Sequence, residues 1–324
     1  MTFPYNAYLA AFFSAFLTTL LVLPFWRAWC VRRNLVDDPG HRKIHNTPTP
    51  LAGGLAVLSG LLLPLLAAVA VLQLNGSRIA SEDLLAYGMS KRAWQLAAIA
   101  LGGIGMVVIG LLDDKHELKP FTKFTGQFLI ALLVAAAGVR ITLFVSNEVF
   151  HYAITILWLL TVINAFNFMD NMNGLCAGLG AIGAGLFAII AALHGQYLVG
   201  LIAFLTAGSL LGFLPHNFPN ARAFLGDSGS HLVGYLLAVL AILPHFYHET
   251  QPRRLAVLTP LLVLAVPLGD LVWVVILRTL KGQPFYIGDT NHLSHRLVRA
   301  GLSRPVAVLL IWLLAAGIGA LAFL

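Results

Sequence analysis

Ten apolar runs constrain this chain more than anything else in it. A helix needs about 20 apolar residues to span the hydrocarbon of a bilayer, within a range of roughly 17 to 25. Runs of that kind fall at about 6–27, 51–74, 94–112, 124–139, 152–169, 174–193, 197–214, 228–247, 255–277 and 305–324. The fourth sits at the short limit, and only "DNMN" separates the fifth from the sixth. Just 10% of the 324 residues are charged, where a soluble domain carries about 25%, so lipid must solvate most of the surface. The pattern predicts an all-α polytopic membrane protein of about ten transmembrane helices. It forms one integral-membrane domain over 1–324, because no stretch between the runs is long enough to fold alone.

Charge placement sets the expected orientation. No Lys or Arg precedes the first run, whereas Arg27, Arg32 and Arg33 follow it. A cleavable signal peptide has the reverse order, so the first run is expected to be retained with its N-terminus outside. Ten spans then put both termini on the extracytoplasmic side. Loops 28–50, 113–123, 170–173, 215–227 and 278–304 become cytosolic. With Arg27 they take 14 of the 20 Lys and Arg, leaving Arg78, Lys91, Arg92, Arg140, Arg253 and Arg254 outside. That bias obeys the positive-inside rule and points to a multi-pass protein of the plasma (inner) membrane. The net charge of +7 therefore lies in short loops. It suits anionic headgroups, a phosphorylated substrate or topology alone, and is no footprint of nucleic acid. Cys30 and Cys176 fall near the cytosolic face, where thiols stay reduced, and receive no role.

Under this topology Asp113, Asp114, Asp170, Asp227 and Asp289 all fall at cytosolic ends of spans. "LLDDKHELKPFTKF" sets Asp113 and Asp114 before Lys115, Lys119 and Lys123. Mg2+ favours one or two carboxylates together with substrate phosphate oxygens, although a solvated loop between two helices would use the same residues. In "NAFNFMDNMNG", Asn164, Asn167 and Asn171 are spaced to share one helix face. They could meet a nucleotide's polar edge or pack helices through amides. Asp227 stands where a loop meets a helix opened by Ser228, Gly229 and Ser230. That arrangement suits an anion at free N–H groups, or a plain N-cap.

"HLSHR" places His292, His295 and Arg296 close together, with Arg299 beyond. A phosphate clamp fits better than zinc, because further Cys or His ligands at zinc spacing are missing. Arg42 and Lys43, between Asp38 and His45, are equally substrate contacts or topology determinants. Asp270 lies inside the ninth run, where an acid is costly. It faces a cytosolic cavity or pairs with Arg278.

Running in order from about Asp38 to Arg304, these five motifs resemble the polyprenyl-phosphate N-acetylhexosamine-1-phosphate transferase family, which has ten helices and a cytosolic active site. The resemblance implies that a sugar-1-phosphate passes from a UDP-sugar to a polyprenyl phosphate. The products would be a polyprenyl-diphosphate-sugar and UMP, at the start of cell-envelope glycan synthesis. It implies Asp113, Asp114, Asp227 and His292 as catalytic residues, with Asp113 the candidate base for the lipid phosphate. Asp227 and Asp114 are the implied holders of Mg2+, with Mn2+ the alternative ion. Lys123, Asn167, Asp170, Asn173, His295, Arg296, Arg42 and Lys43 are the implied substrate contacts. The implied partners are polyprenyl phosphate, a UDP-N-acetyl-hexosamine and membrane lipid, with room for a homodimer and none for nucleic acid.

Two positions depart from the family's pattern: Asn173, where many members have an acid, and Ser294, where many have another His. "NFMD" and "HLSHR" look more like the N-acetylglucosaminyl-1-phosphate branch than the peptidoglycan translocase, which puts UDP-GlcNAc first. Since a phosphate monoester has a second pKa near 6, the lipid acceptor is mostly a dianion and needs little deprotonation. Direct in-line attack is therefore expected, with a covalent aspartyl-phosphate as its rival. A cation-coupled transporter and an inactive lipid-binding scaffold are the other readings.

Overall fold

Helices form where the apolar runs lie. The structure, a computed structural model, describes residues 3–37, 48–75, 88–142, 145–244, 256–284 and 290–324. Its helices are α1 (Tyr5–Arg32), α2 (Gly53–Asn75), α3 (Ala93–His116), α4 (Pro120–Ala136), α5 (Glu148–Met169) and α6 (Leu175–Leu193). They continue with α7 (Tyr197–Phe213), α8 (Gly226–Leu240), α9 (Thr259–Val263), α10 (Ala265–Leu280), α11 (Leu293–Arg299) and α12 (Arg304–Ala320). Among the described residues seven helices are long and apolar enough to cross a membrane: α1, α2, α3, α5, α6, α7 and α12. Large apolar side chains such as Phe25, Leu66 and Leu313 remain exposed along them, as lipid-facing surfaces require. The chain is an all-α, multi-pass membrane protein.

Local chemistry sets the breaks. Pro120 occupies the first turn of α4, where its missing N–H costs nothing. The ninth run is interrupted rather than continuous, with α9 ending at Val263 and α10 starting at Ala265. Pro267 explains this, since it cannot donate to the Val263 carbonyl and its ring crowds it. The fifth and sixth runs part at Asp170–Gly174, where Gly174 takes a left-handed φ of 77°, a conformation that favours glycine.

The eighth run behaves differently from a lipid-facing span. α8 has 15 residues, about 22 Å at 1.5 Å per residue, and all but Asp227 are buried. Helices α2, α3, α5 and α6 surround it. Lipid offers no hydrophobic drive between helices, so close approach of small residues does the packing. A Cβ on Gly110 of α3 would lie 2.3 Å from the Ser228 Cα, and one on Gly234 2.6 Å from the Ile163 Cα. α8 is thus a central post whose first turn is fixed by its neighbours.

Among the described residues one small sheet accompanies the helices. β1 (Val36–Asp37) pairs antiparallel with β2 (Thr49–Pro50), registering Val36 with Pro50 and Asp37 with Thr49. Pro50 O then accepts from Phe224 N–H at 2.9 Å, and Phe224 O from Gly53 N–H at 2.9 Å. These bonds lash the loop before α8 to the start of α2.

Candidate active site

The C-terminal ends of α3 and α5 and the first turn of α8 converge on a cavity of about 820 Å³. Asp113, Asp114, Asn167, Asp170, Asn173 and Asp227 all line it. Residues separated by up to 114 positions in sequence are thereby gathered at one end of the bundle.

A linked chain of side chains runs through this cluster. Lys123 Nζ lies 2.6 Å from Asp113 Oδ2 and 3.1 Å from Asp227 Oδ2. Asp113 Oδ1 accepts from the Leu118 N–H at 2.8 Å, which ties the α3–α4 turn to the site. On the other side Asn167 Nδ2 donates to Asp227 Oδ1 at 2.6 Å and to Ser230 Oγ at 3.0 Å. Each oxygen of Asp227 thus has a donor from a different helix.

Asp114 takes another direction. Its two oxygens accept from the backbone N–H groups of Asp227, at 2.8 Å, and Ser228, at 3.2 Å. Asp or Ser within "LGDSGS" is a natural N-cap in the sequence, yet the cap of α8 comes from α3. An anionic cap opposite a helix N-terminus is favoured both by the orphan amides and by the dipole. Gly226 makes room for it, with φ 72° and a would-be Cβ 2.8 Å from Asp114 Oδ2. Asp114→Ala is expected to cost roughly 1–2 kcal/mol, read as a lower melting temperature in detergent.

Asp170 closes the cluster. Burial, then the charges of Asp227 and Asp114, push its carboxyl well above the usual carboxylate range, while a hydrogen bond from the Gly226 backbone pulls it back. So many acids at one point call for a cation. One oxygen each of Asp113 and Asp227 and one ring nitrogen of His231 lie within 4.8 Å of one another. This donor set fits a divalent ion, with two hard carboxylates at its centre.

The amides of "NAFNFMDNMN" divide rather than share one face. Asn164 Nδ2 donates to Gln127 Oε1 at 3.0 Å, joining α5 to α4, which is helix packing. Asn167 enters the cavity. Asn171 lies past the end of α5, where its Nδ2 donates to Phe168 O and its Oδ1 accepts from Ser294 Oγ, both at 2.6 Å. Ser294, a departure from the family pattern, thereby fastens α11 to the site. Asn173 Nδ2 donates to Pro219 O at 3.1 Å, a bond no carboxylate could make. Asn217 holds the same loop, accepting from Gly174 N–H and donating to Ala223 O.

The histidine segment forms a second group beside the cavity. His292 is buried, with Nδ1 2.6 Å from Asp270 Oδ2, while Asp270 Oδ1 accepts from Leu293 N–H at 2.6 Å. Asp270 thus serves as the orienting partner of His292, and such a carboxylate fixes both tautomer and ring direction. The His292 and His295 rings are 6.3 Å apart, and Phe168 of α5 meets His292 edge-on at 5.6 Å. Burial, then His292 and Arg299, pull the His295 pKa down, so His295 is a neutral donor or acceptor rather than a cation at pH 7. Arg296 is exposed and lies 4.9 Å over the Trp273 ring. Arg42, Lys43 and Asp289 lie outside the described residues, as do Asp38 and His45. Asp37 and Thr49, which flank Asp38, Arg42, Lys43 and His45 in sequence, both line the cavity.

Two contributors escaped the sequence reading. Arg304, at the start of α12, lines the cavity, and its only sequence signal is its place as the last basic residue of the loop. His231 follows Asp227 by four positions, a spacing that shares a helix face.

Comparisons with known proteins identify the family. The family described as "Glycosyl transferase family 4" matches residues 96–245. The chain is 32% identical over 312 residues to the "Probable undecaprenyl-phosphate N-acetylglucosaminyl 1-phosphate transferase" of Bacillus subtilis, covering 94% of this chain and 81% of that one. It is 34% identical to the "Decaprenyl-phosphate N-acetylglucosaminephosphotransferase" of Mycolicibacterium smegmatis, over 92% of this chain and 78% of the relative. Against the "Undecaprenyl-phosphate alpha-N-acetylglucosaminyl 1-phosphate transferase" of Escherichia coli K12 it is 28% identical, over 94% and 80%. With acids and an amide lining one cavity and Lys123 bridging two of those acids, and with relatives matched over most of its length, the chain belongs to glycosyl transferase family 4, among the polyprenyl-phosphate N-acetylglucosamine-1-phosphate transferases.

Proposed function

We propose that the protein transfers N-acetylglucosamine-1-phosphate from UDP-GlcNAc to a polyprenyl phosphate, with undecaprenyl phosphate the first acceptor to test. UMP is released, and the lipid-linked sugar opens a cell-envelope glycan. The observation that carries this reading is the Asp113–Lys123–Asp227–Asn167 chain at the end of an apolar bundle. There a lipid phosphate and a soluble nucleotide can meet. The relatives' names support the substrate pair. Ten spans, with this end facing the cytosol beneath the inner membrane, complete the proposal; the distribution of Lys and Arg supports that orientation.

The balanced step forms a bond between a lipid-phosphate oxygen and the β-phosphorus of UDP-GlcNAc. It breaks the bond from that phosphorus to the bridging oxygen, which leaves with UMP. The acceptor is already mostly a dianion, so Asp113 serves to position it or to take its last proton. Lys123 offsets the negative charge that gathers as two anions approach. Asn167 holds the Asp227 carboxylate in place, and Asp114 holds the α8 backbone that carries it. Asp113 and Asp227 would hold Mg2+, which when bound neutralises diphosphate charge and stabilises the leaving nucleotide. Direct attack is favoured over an aspartyl-phosphate because the acceptor phosphate is itself mostly a dianion and a competent nucleophile. His292, oriented by Asp270, and Arg304 supply further donors for phosphate.

Purified protein given undecaprenyl phosphate, UDP-GlcNAc and Mg2+ should release UMP only when the lipid is present, and EDTA should stop it. No UMP from any of a panel of UDP-sugars, with the protein shown to be folded, would favour the scaffold or transporter instead.

A further inference from the structure

The His231 side chain is fully buried in the first two turns of α8. Neither Nδ1 nor Nε2 has a hydrogen-bond partner among the described residues. A buried imidazole with both nitrogens idle is poorly accounted for by packing alone, because each idle polar atom forfeits its bond to water. One of those nitrogens lies within 4.8 Å of ligand oxygens of Asp113 and Asp227. Asp227 and His231 share a face of α8 at i and i+4, while Asp113 approaches from α3.

We infer that His231 is a third protein ligand of the cation held by Asp113 and Asp227. This rests on the transferase reading for the presence of a cation, and adds to it the identity of the ligand set. Asp114 is not part of that set: its oxygens cap the α8 backbone through the Asp227 and Ser228 amides, and it does not belong to the group that Asp113, Asp227 and His231 form among the described residues. Lys123 bridges the same two carboxylates, so an arriving ion competes with its ammonium for them.

The ligand type has a consequence for ion choice. Mg2+ is a hard ion that prefers oxygen and keeps several waters. Imidazole instead suits first-row transition ions and raises a site's affinity for them relative to Mg2+. A site built from two carboxylates and one imidazole therefore prefers Mn2+ to Mg2+ more strongly than carboxylates alone would.

The test is Mn2+ binding to the purified full-length protein in detergent, followed by pulsed electron paramagnetic resonance and by competition with Mg2+. Wild type should show nitrogen coupling to bound Mn2+, which changes isotope signature when histidine is 15N-labelled. In His231→Leu the coupling should vanish and the preference for Mn2+ over Mg2+ should fall by about tenfold or more. His231→Gln should also lose the coupling, which covers the case where leucine prevents folding. Bound Mn2+ without nitrogen coupling in wild type would overturn the assignment, as would an unchanged ion preference in a folded variant. UMP release measured alongside separates the two claims. Turnover without nitrogen coupling removes only the His231 ligand, whereas nitrogen coupling without turnover on any UDP-sugar removes the reaction and leaves the site.

Discussion

Asp227→Asn should lower lipid-dependent UMP release by about a thousandfold or more, with little change in the melting temperature. Asparagine keeps the size of the side chain, so the close fit at the head of α8 survives. What disappears is a charge that accepts from Asn167 on one oxygen and faces Lys123 on the other. A divalent ion also loses one of its two carboxylates, and such ions contribute several kcal/mol to phosphoryl chemistry. A thousandfold loss corresponds to about 4 kcal/mol at the transition state. Steady-state rates at saturating substrate would check it, and activity within tenfold of wild type would show that Asp227 is peripheral.

Lys123→Met should cost about a hundred- to a thousandfold in kcat, the range found when a single donor to developing charge is removed. Its Nζ is 2.6 Å from one carboxylate and 3.1 Å from the other. Removing it leaves Asp113 and Asp227 facing each other without an organic cation between them. The same change should tighten divalent-ion binding, because the ammonium no longer competes for those oxygens. Slower turnover together with tighter ion binding is an unusual pairing, and a merely structural lysine would not produce it. Titration of Mn2+ beside the kinetic assay reads both effects, and a variant that binds the ion more weakly would contradict this role for Lys123.

Much of the architecture was legible because lipid leaves a chain few options. Apolar stretches of about 20 residues become helices, and helices run through all ten predicted stretches. An apolar run says nothing about what surrounds it. The run at 228–247 reads like the other spans, but the structure buries residues 228–240 among four other helices. The break before α10 was present in the sequence as Pro267, although a hydropathy window averages across it.

The site was legible as a set of residues and illegible as a set of contacts. Successive helical residues point about 100° apart, so Asp113 and Asp114 had to diverge. Nothing local says which of them faces Lys123 and which caps α8. Asp270 and His292 are 22 positions apart, and Asn171 and Ser294 are 123 apart, so their pairing depends on how α5, α10 and α11 meet. His231 was hidden for another reason: one histidine inside an apolar helix resembles any core histidine until both its nitrogens are found without partners.

The most direct test of the central claim is the fate of the β-phosphorus. Purified protein would be given undecaprenyl phosphate and UDP-GlcNAc carrying 32P at that position, and the lipid and nucleotide products separated. Sugar-1-phosphate transfer predicts label in a lipid diphosphate and unlabelled UMP in equal amounts. Label recovered in UDP, with sugar on a lipid monophosphate, would show that the sugar alone moves and would contradict the account.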